Sequence, residues 1–246
     1  MNEHAILEGR MSVAAALRAQ SREIYCIYVD KAARFEVAAA LQRLARSAGV
    51  KVEQVEREFI DSHSTGKTHG GVMAFAGERR FSQLADLIKG TSRAFVAMLD
   101  GFEDPFNFGH AVRSLYAAGA DGIVVRPRNW TSAAATVARS SAGASELIPM
   151  AIGETALDAA NFFRDQGLTI ACTTKRNAVS IYDADLTVPL FLVIGGEKRG
   201  ITRSFIDKAD LFLTIPYGRK FGASLTTAAA AAVISFEVMR QRNYSK

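Results

Sequence analysis

From Ala94 onward the chain alternates short apolar runs with helical patterns, and this alternation constrains the fold more than any other feature of its 246 residues. Strands are expected at 94–99, 122–126, 168–173, 190–194 and 211–215. Helices are expected at 107–118, 132–140, 155–166, 203–209 and 224–241. Runs such as Phe95-Val-Ala-Met-Leu99 and Phe191-Leu-Val-Ile194 are apolar throughout, which suits central strands buried on both faces. Helices between successive strands provide the crossover that parallel pairing requires. The expected architecture is α/β with a mostly parallel sheet.

Residues 1–76 carry a second, smaller α/β pattern. A helix is expected at 8–18, a strand at 23–29 and a helix at about 34–48 that stops at Gly49. A strand at 51–55, a short helix at 57–62 and a strand at 71–76 complete it. Between Gly77 and Arg93, polar and charged residues surround a short amphipathic stretch with Phe81, Leu84, Leu87 and Ile88. That composition suits a connector, so the expected division is a domain at 1–76, a linker at 77–93 and a domain at 94–246. With 49% hydrophobic residues, a chain of this length has enough apolar material for two cores.

Thirty Lys and Arg against 25 Asp and Glu leave a formal charge of +5, which favours a polyanionic partner where the cations cluster. Cys26 and Cys172 sit far apart in apolar runs without metal-ligand or redox spacing, and read as buried, reduced thiols. A cytoplasmic location fits that reading. No apolar run approaches membrane-spanning length, and Met1 to Glu8 has no export-signal pattern.

In open parallel sheets, ligands bind at the carboxyl ends of strands. Three loops occupy such positions. The first, Asp100 to Gly109, leads into a helix bearing Arg113, with Asn107 as a candidate cap. The second contains Gly195, Gly196, Glu197 and Gly200; three glycines in six residues imply backbone conformations or close approaches closed to other residues. Neither the nucleotide-hydrolase phosphate loop nor the dinucleotide fingerprint matches it. The third joins Ile215-Pro216 to the Ala-rich final helix through Arg219, Lys220 and Phe221, a pairing of cations with an aromatic ring suited to unpaired RNA. Ser224 reads as the cap of the final helix.

In this order, Asn107-x-Gly109-x-x-x-Arg113, Gly195-x-Glu197-x-x-Gly200 and Ile215-Pro216 followed by Ser224-Leu225 resemble the SpoU (TrmH-type) RNA ribose 2′-O-methyltransferases of the SPOUT superfamily. The resemblance covers about residues 94–246. The first 76 residues resemble the small L30e-like RNA substrate-binding domain that often precedes this domain, on Gly9-Arg-Met-Ser-Val13 and Thr68-His-Gly-Gly-Val72.

The resemblance implies a C-terminal trefoil knot, S-adenosyl-L-methionine as cofactor, rRNA or tRNA as partner and a homodimer formed through the knotted domain. It implies cofactor contacts at Gly195, Gly196, Gly200, Ile215 and Leu225, and a catalytic pocket made by Asn107, Arg113, Glu197 and Ser224. Arg113 is the expected stabiliser of a developing alkoxide and anchor for a phosphate, because a guanidinium gives up its proton with difficulty. His110, one turn before it, has a pKa suited to proton transfer, yet the resemblance gives it no role. His69 reads as structural or RNA-proximal, and Asp100 as a turn cap. The family pattern Ser-Leu-Asn is here Ser224-Leu225-Thr226, which leaves a second reading open: a catalytically weakened RNA-binding or assembly protein on the same scaffold.

Overall fold

A computed structural model describes residues 4–66, 68–127, 132–174, 177–196 and 200–244. Along the chain run β1 (Ala5–Glu8), α1 (Arg10–Ala19), β2 (Ile24–Asp30), α2 (Phe35–Ser47), β3 (Lys51–Val55), α3 (Arg57–His63) and β4 (Val72–Ala76). A 3-10 turn at Leu84–Ile88 precedes β5 (Phe95–Asp100), α4 (Pro105–Ala117), β6 (Gly122–Val125), α5 (Ala134–Ser140) and α6 (Ala144–Leu147). Then come β7 (Met150–Ile152), α7 (Ala156–Asp165), β8 (Thr169–Thr173), β9 (Val179–Ser180), β10 (Leu190–Gly195), α8 (Arg203–Ile206), β11 (Leu211–Thr214) and α9 (Thr227–Tyr244).

The chain divides into two compact units, Met1–Arg80 with Arg128–Leu147, and Phe81–Pro127 with Ile148–Lys246. This differs from a continuous second domain over 94–246. Ala134 and Ala138 of α5 lie in the apolar core formed by β1, β2, β4 and α1 of the first unit. Buried Glu8 fixes the same helix: its carboxylate lies 2.5 Å from Arg139 and accepts from the Thr65 N–H at 2.6 Å. Just beyond, Glu146 accepts from Ser21 Oγ at 2.6 Å and from Arg22 Nε at 3.0 Å. The stretch 81–93 is likewise no free connector, since Leu87 packs into the second unit's core with Phe163 and Phe191.

The first unit holds a four-stranded sheet of order β1-β4-β2-β3, in which β1 and β2 run antiparallel to β4 and β3 runs parallel to β2. Ile27, Val29, Val72 and Ala74 form one face of its core, against which Val13, Leu17 and Leu41 of α1 and α2 pack.

The second unit holds a seven-stranded sheet of order β7-β6-β5-β10-β8-β11-β9, parallel at every pair. On one face Val96, Met98, Phe191 and Val193 meet Ala159 and Phe163 of α7, with the Phe163 and Phe191 rings 4.7 Å apart. Helix α4 packs along α9, burying Ala111, Leu115, Ile234 and Val238. The strand order places the connections so that β10 enters between β5 and β8, and β11 between β8 and β9. The chain therefore reverses its progress across the sheet at β10, where α/β sheets form ligand crevices.

Candidate active site

Because β10, β8 and β11 are adjacent and parallel, their carboxyl ends meet at one edge of the sheet. Val193 pairs with Cys172, and Thr173 with Leu213. A cavity of about 940 Å³ opens there, lined by Thr173 and Thr174 at the end of β8, Ile194 to Gly196 at the end of β10, and Leu213 to Tyr217 of β11 and its exit. Gly200, Arg219, Lys220, Phe221, Ser224 to Thr227 and Ala230 close the remainder. Cys172, one residue before this lining, is buried, and burial pushes its thiol up to about 11, so it is no nucleophile.

At the end of β10 the main chain passes unusually close to the end of β5. Gly196 N–H donates to the Asp100 carbonyl at 2.6 Å, and a Cβ on Gly196 would lie 2.3 Å from the Gly101 carbonyl oxygen. Only glycine fits such an approach. Gly200 closes the turn with its N–H on the Gly196 carbonyl at 3.1 Å and a φ of +59°. The glycine spacing seen in the sequence thus encodes a tight strand exit whose backbone faces the cavity. Glu197 lies outside the described residues.

The loop from β11 to α9 forms the opposite wall. The Tyr217 hydroxyl accepts the Leu225 N–H at 3.0 Å, tying the two ends of the loop together, while the Tyr217 and Phe221 rings lie 6.1 Å apart. Arg219, Lys220, Phe221 and Ser224 are exposed along it. Helix α9 begins later than expected. Thr226 Oγ1, not Ser224, caps it, accepting the Ala229 N–H at 3.2 Å. A hydroxyl and a carboxamide both serve as helix caps, so an asparagine here would cap the helix as the threonine does.

Helix α4 also has a different cap from the one expected. Asp104 Oδ1 accepts from Phe106 N–H at 2.7 Å and Asn107 N–H at 3.4 Å, with Pro105 at the first helical position. Asn107 therefore sits within the first turn, its side chain released from capping and half-buried, with Arg113 and His110 exposed farther along. Neither Asn107 nor Arg113 lines the cavity. Asp100 is buried, 3.2 Å from the Arg126 guanidinium, so it neutralises a cation as well as ending β5.

A family model described as the SpoU rRNA Methylase family matches residues 94–236, more than half of the chain. The chain belongs to the SpoU rRNA methylase family. A second model, described as RNA 2′-O ribose methyltransferase substrate binding, matches residues 6–82 of this SpoU protein. YacO of Bacillus subtilis, named for the TrmH tRNA/rRNA methyltransferase family, is 30% identical over 245 residues, covering 98% of this chain and 97% of its own. The 23S rRNA (guanosine-2′-O-)-methyltransferase RlmB of Shewanella oneidensis is 27% identical over 245 residues, covering 98% and 99%. Among solved structures, the SpoU methyltransferase AviRb of Streptomyces viridochromogenes in complex with AdoMet shares the fold at a TM-score of 0.81 and 20% identity, covering 99% of this chain and 92% of that one. An AdoMet-bound rRNA methyltransferase from Sinorhizobium meliloti does so at 0.79 and 24%, covering 99% and 89%.

For this SpoU chain the cavity gathers Gly195, Gly196, Gly200, Ile215, Leu225, Ser224, Arg219, Lys220 and Phe221 of the residues singled out in the sequence. It also takes in Thr226, the departure from the family pattern, and adds Thr173, Thr174, Tyr217 and Thr227. Thr173 and Thr174 follow an apolar strand as the glycines do, but no short motif marks them; only the position of β8 beside β10 does.

Proposed function

We propose that this protein is an S-adenosylmethionine-dependent methyltransferase acting on a ribose 2′-hydroxyl of ribosomal or transfer RNA. The observation that carries the reading is the convergence of the second and third sequence motifs on one cavity at the carboxyl ends of β10, β8 and β11. The cofactor fits the donors present: glycine-freed backbone at Gly195 and Gly196, backbone at Ile215 and Leu225, and the hydroxyls of Thr173, Thr174 and Thr226 suit a polar, adenosine-bearing ligand. When bound, S-adenosylmethionine supplies the electrophilic methyl group.

The protein's own residues supply orientation and charge. Arg113 anchors a phosphate and stabilises negative charge developing on the ribose oxygen. Asn107, freed from capping by Asp104, and Glu197 act with Arg113 in catalysis. Ser224 presents a hydroxyl at the cavity wall, and Arg219, Lys220 and Phe221 hold RNA at its mouth. The first unit acts as an L30e-like RNA substrate-binding domain. The second carries the trefoil knot and pairs with a second copy through α4 and α9, where Phe106, Tyr116, Phe236 and Tyr244 are exposed. Such a protein works in the cytoplasm, where its RNA is. Retention of a helix cap at Thr226 supports an active enzyme over a weakened binding protein. Transfer of labelled methyl from S-adenosylmethionine to unmodified rRNA and tRNA, followed by mapping of the modified nucleotide, tests the reading; methyl found on a base would reassign the reaction.

A further inference from the structure

The four-stranded sheet of the first unit has one face buried under α1 and α2, and a second face that carries rings. Alternation along β2 and β4 puts Ile27, Val29, Val72 and Ala74 in the core, and Tyr28 and Phe75 on the other side. Phe75 lies 5.5 Å from Tyr28, 5.6 Å from His63 and 6.2 Å from His4. Phe59 of α3 joins the row, 4.9 Å from Tyr28 and 4.4 Å from His63.

Tyr25 ends the row and is exposed, at 45%, whereas Tyr28, Phe59 and Phe75 are half-buried. The β2–β4 register shifts between Ile24 and Cys26, so Tyr25 stands on a bulge, a device that re-aims a side chain out of the ladder. Its ring is held in place: His4 packs edge-on at 5.0 Å, and the phenol lies over Gly77, where a Cβ would come within 2.9 Å of it. An exposed aromatic fixed by its surroundings loses little entropy when a flat ligand stacks on it.

We infer that this ring-bearing face, with Tyr25 as its exposed platform, stacks unpaired nucleobases of the RNA substrate. The inference rests on the RNA methyltransferase reading and deepens it by naming the surface and the chemical feature recognised. The charges beside the rings favour bases over phosphates. Lys51, whose backbone partner is Cys26, is paired with Glu53 at 2.6 Å, and Arg57 sits beside Asp30 and Asp61. A face whose cations are already compensated tracks a sugar–phosphate chain poorly, whereas stacking needs only open π-faces. All of these residues except His4 fall within the 6–82 span matched by the substrate-binding model.

The test is fluorescence anisotropy on the full chain with two labelled probes, an unstructured oligoadenylate RNA and an abasic sugar–phosphate chain of equal length. The wild type is expected to prefer the base-bearing probe, and Tyr25→Ala to weaken oligoadenylate binding about 5- to 100-fold, the range for losing one stacked base. Abasic-chain binding, S-adenosylmethionine affinity and melting temperature stay unchanged in that variant, and Tyr25→Phe restores oligoadenylate binding. Equal wild-type affinity for the two probes, or undiminished oligoadenylate binding by Tyr25→Ala, overturns the inference. Methyl-transfer activity is read separately, so loss of the platform and loss of the enzyme reading give different results.

Discussion

Gly196 rests against Gly101: its N–H reaches the neighbouring Asp100 carbonyl at 2.6 Å, and its Cα leaves no room for a side chain before the Gly101 carbonyl. Two strand exits are thereby locked together at the point where the sheet reverses its order, and one of them lines the cavity. A methyl group on Gly196 must push one exit away. Gly196→Ala is expected to cost about 1–3 kcal/mol, the usual range for overpacking, and to abolish measurable S-adenosylmethionine binding by calorimetry. Wild-type affinity in this variant would show that the close approach does not shape the site.

Tyr217 and Leu225 make a second, milder test of the same cavity. Tyr217→Phe removes the acceptor of the Leu225 N–H while keeping the ring. A lost hydrogen bond of this kind is worth about 0.5–1.5 kcal/mol, so cofactor affinity should fall roughly 2- to 10-fold in a titration. An unchanged affinity would separate the loop tie from ligand binding.

Thr226 caps α9, and caps tolerate exchange among hydroxyl and amide residues. Thr226→Asn is therefore expected to leave the melting temperature almost unchanged, whereas Thr226→Ala costs about 1 kcal/mol. Full activity of Thr226→Asn would place the departure from the family pattern among neutral changes; a large drop in its stability would contradict the cap.

Glu146 supplies the pH dependence of the first unit. Burial pushes its carboxyl up, but Arg22, Arg79 and the Ser21 hydroxyl outweigh that and hold it below the usual carboxylate range. Arg79 itself is drawn down to about 10, mainly by burial and despite Glu146. A carboxyl with a lowered folded pKa gives stability that is complete above its unfolded value, near 4.3, and is lost as pH falls through the folded value. Glu146→Gln should cost about 3–5 kcal/mol near neutrality, because it leaves buried guanidinium charge unmatched. The gap from wild type should shrink below about pH 4, as thermal melts across pH will show; a gap that widens on acidification would reverse the sign.

Much of this organisation was legible in the residues. The apolar runs at 95–99 and 191–194 marked the two adjacent central strands, and Gly195, Gly196 and Gly200 marked a backbone-lined site. Other features left no local signal. β1, β7 and β9 are four, three and two residues long, too short for a period to show. The Ala-rich helix α5 carries a small-residue face that does not say which sheet it will cover, so its return to the first unit was hidden. Capping by Asp104 and Thr226 was masked by nearby residues of equal capping ability, Asn107 and Ser224. Thr173 and Thr174 come to line the cavity only through strand order, a long-range property.

Arg113 is proposed to assist methyl transfer to a ribose oxygen from an exposed position on α4, outside the cavity lining. Labelled methyl transfer from S-adenosylmethionine to unmodified rRNA and tRNA, wild type beside Arg113→Ala, tests it most directly. The wild type is expected to 2′-O-methylate one nucleotide, and Arg113→Ala to lose about 10²–10³-fold in rate with cofactor affinity retained. No transfer to any RNA by a wild type that binds the cofactor, or an Arg113→Ala variant as fast as wild type, would contradict it.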